Sequence, residues 1–305
     1  MPLVRLPKSQ LASQWFLKLL VSIVQQGPIP RHIAIIADGN RRYAKSRGFS
    51  IKKGHTLGAD VLNNVLDLAF ETGVEFITAY LFSIENFKRP KNQVDDLMGL
   101  FEIWILKCLY PSPNKRKLRF RFLGRLELFP NKIRKLMKKL VEKTANCDGA
   151  TFNICVAYTS RDEMARAIET TVRNHNDSPQ SENHITAEIL DSNMDINEGS
   201  PLDILIRTSG VGRLSDFLLW QCHRDTVIEV LDMQWPAFQY WDLFFVILRW
   251  QRKKMARMGF HTKVVEEPRA MRNLVSNNHL KWLMSVILLL APAVWGFQMA
   301  FHPEN

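Results

Sequence analysis

An apolar run that ends abruptly in charged and turn-forming residues constrains the fold of this chain more than any other feature. Ile33–Ala37 is apolar throughout and is followed directly by Asp38-Gly39-Asn40-Arg41-Arg42. An α/β fold builds phosphate sites this way, because glycine lets backbone N–H groups approach an anion and a helix N-terminus adds partial positive charge. Asp38 repels phosphate, so it makes sense beside a divalent cation, and oxygen ligands suit Mg²⁺. The alternative is a solvated turn.

Apolar runs alternate with helical patterns through the middle of the chain. The runs that predict strands are Ile33–Ala37, Phe76–Phe82, Leu118–Leu123, Thr151–Ala157, Leu202–Ile206 and Thr226–Val230. The helical patterns are Leu57–Thr72, Val94–Leu109, Asn131–Ala145, Arg161–Asn174 and Phe238–Met258. This alternation predicts one α/β domain over residues 30–260, with a mostly parallel central sheet flanked by helices.

Polar clusters follow three of the predicted strands. Beside Asp38 and Arg42, they are Ser83, Asn86 and Arg89 after the second strand, and Arg207, Arg213 and Ser215 after the fifth. Ligands of parallel sheets bind beyond the carboxyl ends of the strands, and arginine forks match phosphate oxygens. Three such clusters at one sheet edge predict two diphosphate-bearing substrates. Nucleic acid is disfavoured, because these arginines do not lie along a groove-fitting helix or beside a stacking platform.

Both ends of the chain have patterns of their own. Within residues 1–29, the pattern of Leu11–Val24 predicts an amphipathic helix that would pack on the core, lie on a membrane or border a substrate tunnel. A basic linker, 261–281, precedes the uncharged stretch 282–301, which is long enough to cross a bilayer. The positive-inside rule then leaves the body of the chain in the cytosol. The alternative for 282–301 is a helix buried in a subunit interface.

Charge and cysteine content narrow the partners and the compartment. The net charge of +11, from 41 basic and 30 acidic residues, favours polyanionic partners such as diphosphates, anionic lipids or nucleic acid. The four cysteines, Cys108, Cys147, Cys155 and Cys222, have no metal-binding spacing. Buried thiols in a reducing compartment are therefore expected.

Three segments together resemble a known family. His32–Lys45, Ala79–Pro90 and Asp203–Trp220 resemble the cis-prenyltransferases, and the likeness runs from about Pro30 to Trp250. Phe-Ser-Ile-Glu-Asn-Phe, Arg-Thr-Ser-Gly and Arg-Leu-Ser-Asp-Phe-Leu-Leu-Trp-Gln are most like the eukaryotic, dolichol-making branch, above all its fungal members. The resemblance implies stepwise addition of isopentenyl diphosphate to an allylic, farnesyl-type diphosphate. The long polyprenyl product is the dolichol precursor used in protein glycosylation.

The resemblance also implies roles for individual residues. Asp38 would meet Mg²⁺ and the departing diphosphate, and Asn86 would serve condensation and proton removal. The residues implied at the allylic diphosphate, or matched in the same motifs, are Gly39, Asn40, Arg41, Arg42, Tyr43, His55, Ser83, Glu85, Phe87 and Arg89. Those implied at the isopentenyl diphosphate are Arg207, Arg213 and Ser215. Phe70, Leu97, Phe101 and Trp104 are candidates for a tunnel wall or for plain core.

The chain departs from the bacterial pattern of the family at two positions. Ile51 stands where bacterial members carry an arginine, and Thr226 stands where they use a glutamate as a second metal ligand. Asp225 and Glu229 are candidate substitutes. Eukaryotic catalytic subunits that lack this glutamate work with an inert partner of the Nogo-B-receptor kind, whose Arg-X-Gly tail completes the site. Residues 299–305 hold no such tail, so a hetero-oligomer is expected.

The resemblance further implies an endoplasmic reticulum membrane protein with a cytosolic catalytic body, with lipid droplets as the alternative location. Two other functions compete with the catalytic one. An inert accessory subunit, acting as a membrane scaffold, is disfavoured because this chain keeps Asp38, Arg42, Asn86 and Arg89. A basic nucleic-acid binder would bind independently of the three strand-end clusters.

Overall fold

The structure, a computed structural model, describes residues 17–111, 117–176, 185–196 and 201–257. Its centre is a six-stranded sheet in which every neighbouring pair of strands is parallel. The strands are β1 (His32–Ile36), β2 (Phe76–Ser83), β3 (Arg119–Leu123), β4 (Thr151–Tyr158), β5 (Ile204–Thr208) and β6 (Val227–Leu231). Each strand overlaps a run predicted from the sequence, with bounds that differ by up to two residues, so the α/β class and the parallel sheet are confirmed.

Helices fill the connections between the strands. They are α1 (residues 17–24), α2 (Asn40–Ser46), α3 (Ile51–Thr72), α4 (Lys91–Leu109), α5 (Asn131–Thr144), α6 (Ser160–Asn176), α7 (Ala187–Ser192) and α8 (Tyr240–Arg257). The helix expected from Leu57 begins earlier, because the Ser50 side chain accepts a hydrogen bond from the Lys53 N–H at 3.2 Å and caps the first turn. The short helix α7 was not predicted.

The order of the strands places a crevice beside β1. Across the sheet the order is β3-β4-β2-β1-β5-β6. The chain therefore adds β2, β3 and β4 on one side of β1 and then crosses to add β5 and β6 on the other side. All five residues of β1 and all eight of β4 are buried, as expected of strands covered on both faces. Ligands of such sheets bind beyond the carboxyl ends of the strands at this switch point.

Two buried hydrogen bonds between side chains link three adjacent strands of the sheet. The ring of His32 on β1 hydrogen-bonds Thr78 on β2 at 2.8 Å, and Asn153 on β4 donates to the same hydroxyl at 3.1 Å. Buried polar groups need hydrogen-bond partners. The Thr78 hydroxyl has one partner on each adjacent strand, so it links β2 to both β1 and β4. The bonds therefore reinforce the register that the apolar residues set.

The described chain divides into two compact units. Residues 29–246 form the unit that holds the sheet, while 17–28 and 247–257 are the described parts of the other. In the latter, Gln251 donates to the carbonyl oxygens of Val24 at 2.7 Å and Pro28 at 2.9 Å. Within the described ranges, no helix is both long and apolar enough to cross a bilayer. The stretches expected over 261–281 and 282–301, and residues 1–16, lie outside those ranges.

Two helices approach closely at a glycine next to the crevice. A methyl group added at Gly54 of α3 would meet the carbonyl oxygen of Asn40 at 2.6 Å and the Cβ of Ala44 at 2.8 Å. Real Cβ atoms do not come so near, so a larger side chain must push α2 away. Gly54 therefore fixes the distance between α3 and the helix that follows β1.

We predict that Gly54→Ala lowers the free energy of unfolding by about 1–3 kcal/mol, because overpacking a tight contact costs that much. Gly99→Ala is the matched control: Gly99 is also helical, and a Cβ there meets no atom within 4 Å. It should stabilise the chain by up to about 1 kcal/mol through helix propensity. Urea unfolding measures both variants, and equal stabilisation by the two would contradict the close approach.

Candidate active site

A cavity of about 980 Å³ opens at the carboxyl ends of β1, β2 and β5. Twelve of the residues predicted from the sequence line it: Asp38, Gly39, Asn40, Arg41, Arg42, His55, Ser83, Asn86, Arg89, Arg207, Arg213 and Ser215. They come from residues 38–55, 83–89 and 207–215, and the last of these segments lies more than 100 residues after the second. The expectation that the strand-end clusters share one edge of the sheet is met.

The turn after β1 is held from both sides. Gly39 has φ +104°, in the left-handed region, and a Cβ there would lie 2.9 Å from the Cβ of Gln234. The carbonyl oxygen of Asp38 accepts hydrogen bonds from the Trp235 N–H at 2.9 Å and from the Thr208 hydroxyl at 2.7 Å. Glycine is needed here both for its backbone conformation and for want of space.

A buried arginine joins the strand ends. Arg207, with a side chain only 3% exposed, donates from Nη2 to the Asp38 carboxylate at 2.7 Å. From Nη1 it donates to the Ser215 hydroxyl at 2.7 Å and to the carbonyl oxygen of Arg213 at 2.5 Å. Arg42 reaches the same Asp38 oxygen at 3.5 Å. One guanidinium thus orients Asp38 and the loop that carries Ser215.

Three buried polar atoms at the ends of β1 and β5 have no hydrogen-bond partner within the described part of the chain. They are Nε of Arg207, Oγ of Ser209 and Oδ1 of Asn40. Buried polar groups are rarely left unpaired, so each marks a place for a partner that the chain does not itself supply. Ser209 was not predicted. It lies two residues after Arg207 with φ +86°, and its place in the Arg-Thr-Ser-Gly motif is the sequence signal that could have pointed to it.

Positive charge dominates the polar part of the cavity. Among its described lining residues, six side chains are cationic (Arg41, Arg42, Lys45, Arg89, Arg207 and Arg213), and Asp38 is the one carboxylate. Burial, and secondarily the positive charge of Arg41, lower the pKa of Arg89. A cation in that position is stabilised by an anion, so the cluster is suited to phosphate oxygens.

His55 lies among these cations. Burial and the charges of Arg89 and Arg41 lower its pKa to about 4, although Asp96 opposes the shift. The imidazole is therefore neutral near pH 7. It can donate a hydrogen bond from one ring nitrogen and accept one at the other.

The remaining lining residues are apolar and come mainly from α3 and α4. They include Leu62 on α3, and Leu97, Leu100, Phe101 and Trp104 on α4. Three of the four tunnel candidates are thus in the lining, whereas Phe70 is buried elsewhere in the core. A cationic region joined to an apolar one fits an amphiphilic ligand with an anionic head.

Tyr80 supports the loop around Ser215 and was also not predicted. Its ring stacks on Phe217 with centroids 4.5 Å apart, and its hydroxyl donates to the carbonyl oxygens of Tyr158 at 3.1 Å and Ser215 at 3.4 Å. Ser215 and Asp216 both have positive φ, at +51° and +60°, which costs energy for residues other than glycine. The Tyr80 contacts help to hold this strained loop against Arg207.

Three predicted residues lie outside the lining. Tyr43 is half-buried and its ring meets the Arg47 guanidinium at 5.6 Å. Glu85 pairs with Lys88 at 2.5 Å. Phe87 packs edge-to-face on Phe82. Each is next to a lining residue in the sequence, but the helical or 3₁₀ turn points it elsewhere.

Asn86 is fixed by the end of β2. Its Oδ1 accepts a hydrogen bond from the Ser83 N–H at 3.2 Å, and the two residues form a reciprocal cap on the turn that follows. The amide therefore faces the cavity in a set orientation.

No second carboxylate accompanies Asp38 in the cavity among the residues that the structure describes. Thr226 donates to the carbonyl oxygen of Leu202 at 2.8 Å, and neither Asp225 nor Glu229 lines the cavity. Among the described residues, no three His, Cys, Asp or Glu side chains are grouped for a metal ion. One carboxylate beside cations still fits Mg²⁺, because this ion takes one or two carboxylates and completes its shell with substrate phosphates and water.

The chain is similar to known proteins over most of its length. The family described as "Putative undecaprenyl diphosphate synthase" matches residues 36–259. A dehydrodolichyl diphosphate synthase complex subunit of Schizosaccharomyces pombe is 36% identical over 78% of this chain and 92% of its own length. The human subunit is 37% identical, over 77% of this chain and 71% of its own.

A solved structure matches as well. Lavandulyl diphosphate synthase from Lavandula x intermedia, in complex with dimethylallyl diphosphate, superposes with a TM-score of 0.69 at 26% identity. The match covers 73% of this chain and 95% of that one.

We predict that His55 makes folding less stable in acid. As the pH falls from about 6.5 towards 4, the unfolded chain binds a proton that folded His55 does not, so the free energy of unfolding falls. His55→Gln should lose less stability over this range. Urea unfolding at pH 7 and pH 4.5 measures the effect, with His175→Gln on α6 as the control for an exposed histidine. An identical pH dependence in the wild type and His55→Gln would contradict the depressed pKa.

Proposed function

This chain belongs to the undecaprenyl diphosphate synthase family of cis-prenyltransferases, and we propose that it is the catalytic subunit of a dehydrodolichyl diphosphate synthase. The observation that carries the proposal is the Asp38–Arg207 pair in a cavity with six cations and an apolar wall. An inert scaffold would have no need to keep this arrangement. The S. pombe, yeast and human relatives are each named as subunits of such a complex.

The proposed reaction joins two diphosphates. The carbon–oxygen bond of the allylic substrate breaks, its electron pair leaves with the diphosphate, and the double bond of isopentenyl diphosphate attacks the allylic carbon. A proton is then lost to give the new cis double bond. The departing anion is stabilised by cations already in place, and the rate depends on holding the two carbon atoms in line.

We assign the allylic diphosphate to the turn after β1. The N–H groups around Gly39, the guanidiniums of Arg41 and Arg42, and Arg89 bring positive charge to one place. Neutral His55 can donate a hydrogen bond to the same group. Asp38 would hold Mg²⁺, which when bound neutralises charge on the diphosphate oxygens.

We assign isopentenyl diphosphate to the loop after β5. Arg213 and Ser215 are exposed at the cavity, whereas both terminal nitrogens of Arg207 are already engaged. Arg207 therefore positions Asp38 and Ser215. Arg213 is assigned the direct contact with the diphosphate, and truncating its side chain leaves the hydrogen bonds of Arg207 in place. Asn86, held by its cap at the end of β2, is assigned to the condensation and proton-loss steps. Leu97, Phe101 and Trp104 would border the growing chain.

We propose that the partner subunit docks on the β6 side of the sheet. β6 is an edge strand, and its residues Ile228 and Val230 are each 43% exposed. Ile189 of α7 is exposed as well, and Asp191 of the same helix pairs with Arg224 just before β6. An uncovered apolar edge is a liability in a free chain, so a partner that covers it explains its composition. A related accessory subunit of the Nogo-B-receptor kind, at the endoplasmic reticulum membrane, is the proposed partner.

We predict that Asp38→Asn reduces magnesium-dependent incorporation of isopentenyl diphosphate by about 10²–10³-fold, because it removes a preorganised charge. Asp60→Asn, at an exposed carboxylate on α3, is the matched control and should keep its activity. Thermal unfolding separates this effect from misfolding, since Asp38→Asn also leaves Arg207 without its counter-charge. Near-normal turnover by a folded Asp38→Asn variant would refute the proposed function.

Arg213→Ala and Arg42→Ala should separate the two diphosphate sites. Each removes a charge-assisted hydrogen bond of about 1.5–3 kcal/mol, which corresponds to a 10- to 150-fold rise in KM. Arg213→Ala should raise the KM for isopentenyl diphosphate more, and Arg42→Ala that for the allylic substrate. Steady-state kinetics with each substrate varied in turn will decide, and equal effects on both substrates would rule out the assignment.

The docking side can be tested with one charge. Val230→Asp should weaken co-purification with a co-expressed accessory subunit, because a carboxylate cannot be buried unpaired without a large cost. Leu128→Asp, at a side chain 46% exposed in the turn before α5, is the control and should co-purify normally. Retention of the complex by both variants would place the interface elsewhere.

A further inference from the structure

We propose that a second surface of this protein, built from α5 and the outer side of α4, docks onto an anionic lipid surface. We call it the α4–α5 face. Its apolar residues are Ile103, Leu106 and Tyr110, and its cations are Lys135, Lys138, Lys139 and Lys143. None of these residues lines the cavity.

The positive charge of the face is concentrated on one helix. Six cations of α5 are exposed, namely Lys132, Arg134, Lys135, Lys138, Lys139 and Lys143, while Glu142 is its one acidic residue. Ile133, Met137 and Leu140 are buried on the other side. All six cations therefore lie on the exposed side of α5, where Lys143 also donates to the carbonyl oxygen of Leu109 at 2.5 Å.

Most of this charge is not neutralised within the described chain. Lys132 pairs with Glu102 at 2.5 Å and Lys138 with Glu142 at 3.8 Å. Lys135, Lys139 and Lys143 follow one another at intervals of four residues, and no described carboxylate lies within ion-pair distance of them. Like charges at this spacing destabilise a helix, so an external anionic surface would relieve the repulsion.

Apolar side chains stand directly beside the lysines. Ile103, Leu106 and Tyr110 are 52%, 37% and 66% exposed. Ile103 and Leu106 share one stripe of α4, and Tyr110 follows directly after the helix, at the end of that stripe. Lys139 donates to the Tyr110 hydroxyl at 3.3 Å, and the Lys143 ammonium lies 5.3 Å from the ring centroid. An exposed tyrosine flanked by lysines is typical of the membrane–water interface, where the ring and the lysine stems enter the apolar layer.

This mixture favours lipid over nucleic acid. A phosphate backbone would match the lysines but leave Ile103 and Leu106 in water, whereas a lipid surface matches both. The opposite side of α4 lines the cavity through Leu97 and Trp104, so one helix separates the proposed chain-binding region from the proposed lipid contact. This last point rests on the proposed function, since only a long apolar product gains from that arrangement. The charge and exposure do not depend on it.

The test uses the full chain and vesicles of phosphatidylcholine with 0 or 30% phosphatidylserine, without substrates. Lys135→Gln/Lys139→Gln should lower the partition onto phosphatidylserine vesicles by about 10-fold or more, because each cation near such a surface contributes roughly fivefold. The matched control, Arg47→Gln/Arg173→Gln, removes the same charge from exposed positions on other elements and should bind like the wild type. Vesicle binding by the uncharged stretch 282–301 would contribute equally to the wild type and all variants, because none of them changes it.

A second variant separates the apolar contribution. Ile103→Ser/Tyr110→Ser should weaken binding to both vesicle types, and all variants should unfold at wild-type temperatures because the changed side chains are exposed. Equal losses in the two charge variants, or binding independent of phosphatidylserine, would overturn the proposal. The proposal would also be overturned if Lys135→Gln/Lys139→Gln lost binding to poly(U) RNA while its binding to vesicles stayed unchanged. A chain that binds vesicles as predicted but does not incorporate isopentenyl diphosphate would refute the proposed function and leave this inference standing.

Discussion

The buried ion pair between Arg207 and Asp38 is the interaction on which the rest of the site depends. Arg207 is almost fully buried, and a buried charge that loses its partner costs about 3–5 kcal/mol. Its guanidinium ties the end of β1 to β5 and to the loop with Ser215. The pair therefore links sheet order, loop conformation and the charge of the cavity, so none of the three can change alone.

Much of this architecture is predictable, because parallel strands that are covered on both faces have continuous apolar sequences. The run at Ile33–Ala37 and the fully buried β4 are examples. Strand ends then meet at one edge, which is why Asp38, Asn86 and Arg207 can be grouped from the order of the residues alone. The family resemblance added the distinction between the two diphosphate sites.

What could not be predicted depends on orientation and on distant contacts. Tyr43 and Phe87 belong to the right motifs, but the turn of the helix points them away from the cavity. Tyr80 matters because the Ser215 loop folds against it, and Ser209 because its buried hydroxyl has no partner in the described chain. Both lie in segments of the family resemblance, but their surroundings are set by residues distant in the sequence. The early start of α3 depends on one serine cap, and a single capping residue leaves no trace in the apolar periodicity from which a helix is predicted.

The position of β1 has a consequence for synthesis on the ribosome. Its partner β5 lies about 170 residues later in the chain, after β2, β3 and β4. A nascent chain can therefore assemble the order β3-β4-β2-β1 while the wholly buried strand β1 is still an open edge. Such an edge pairs readily with other chains until it is covered. Translation speed through this interval, and chaperones that shield strand edges, should thus govern the yield of folded protein.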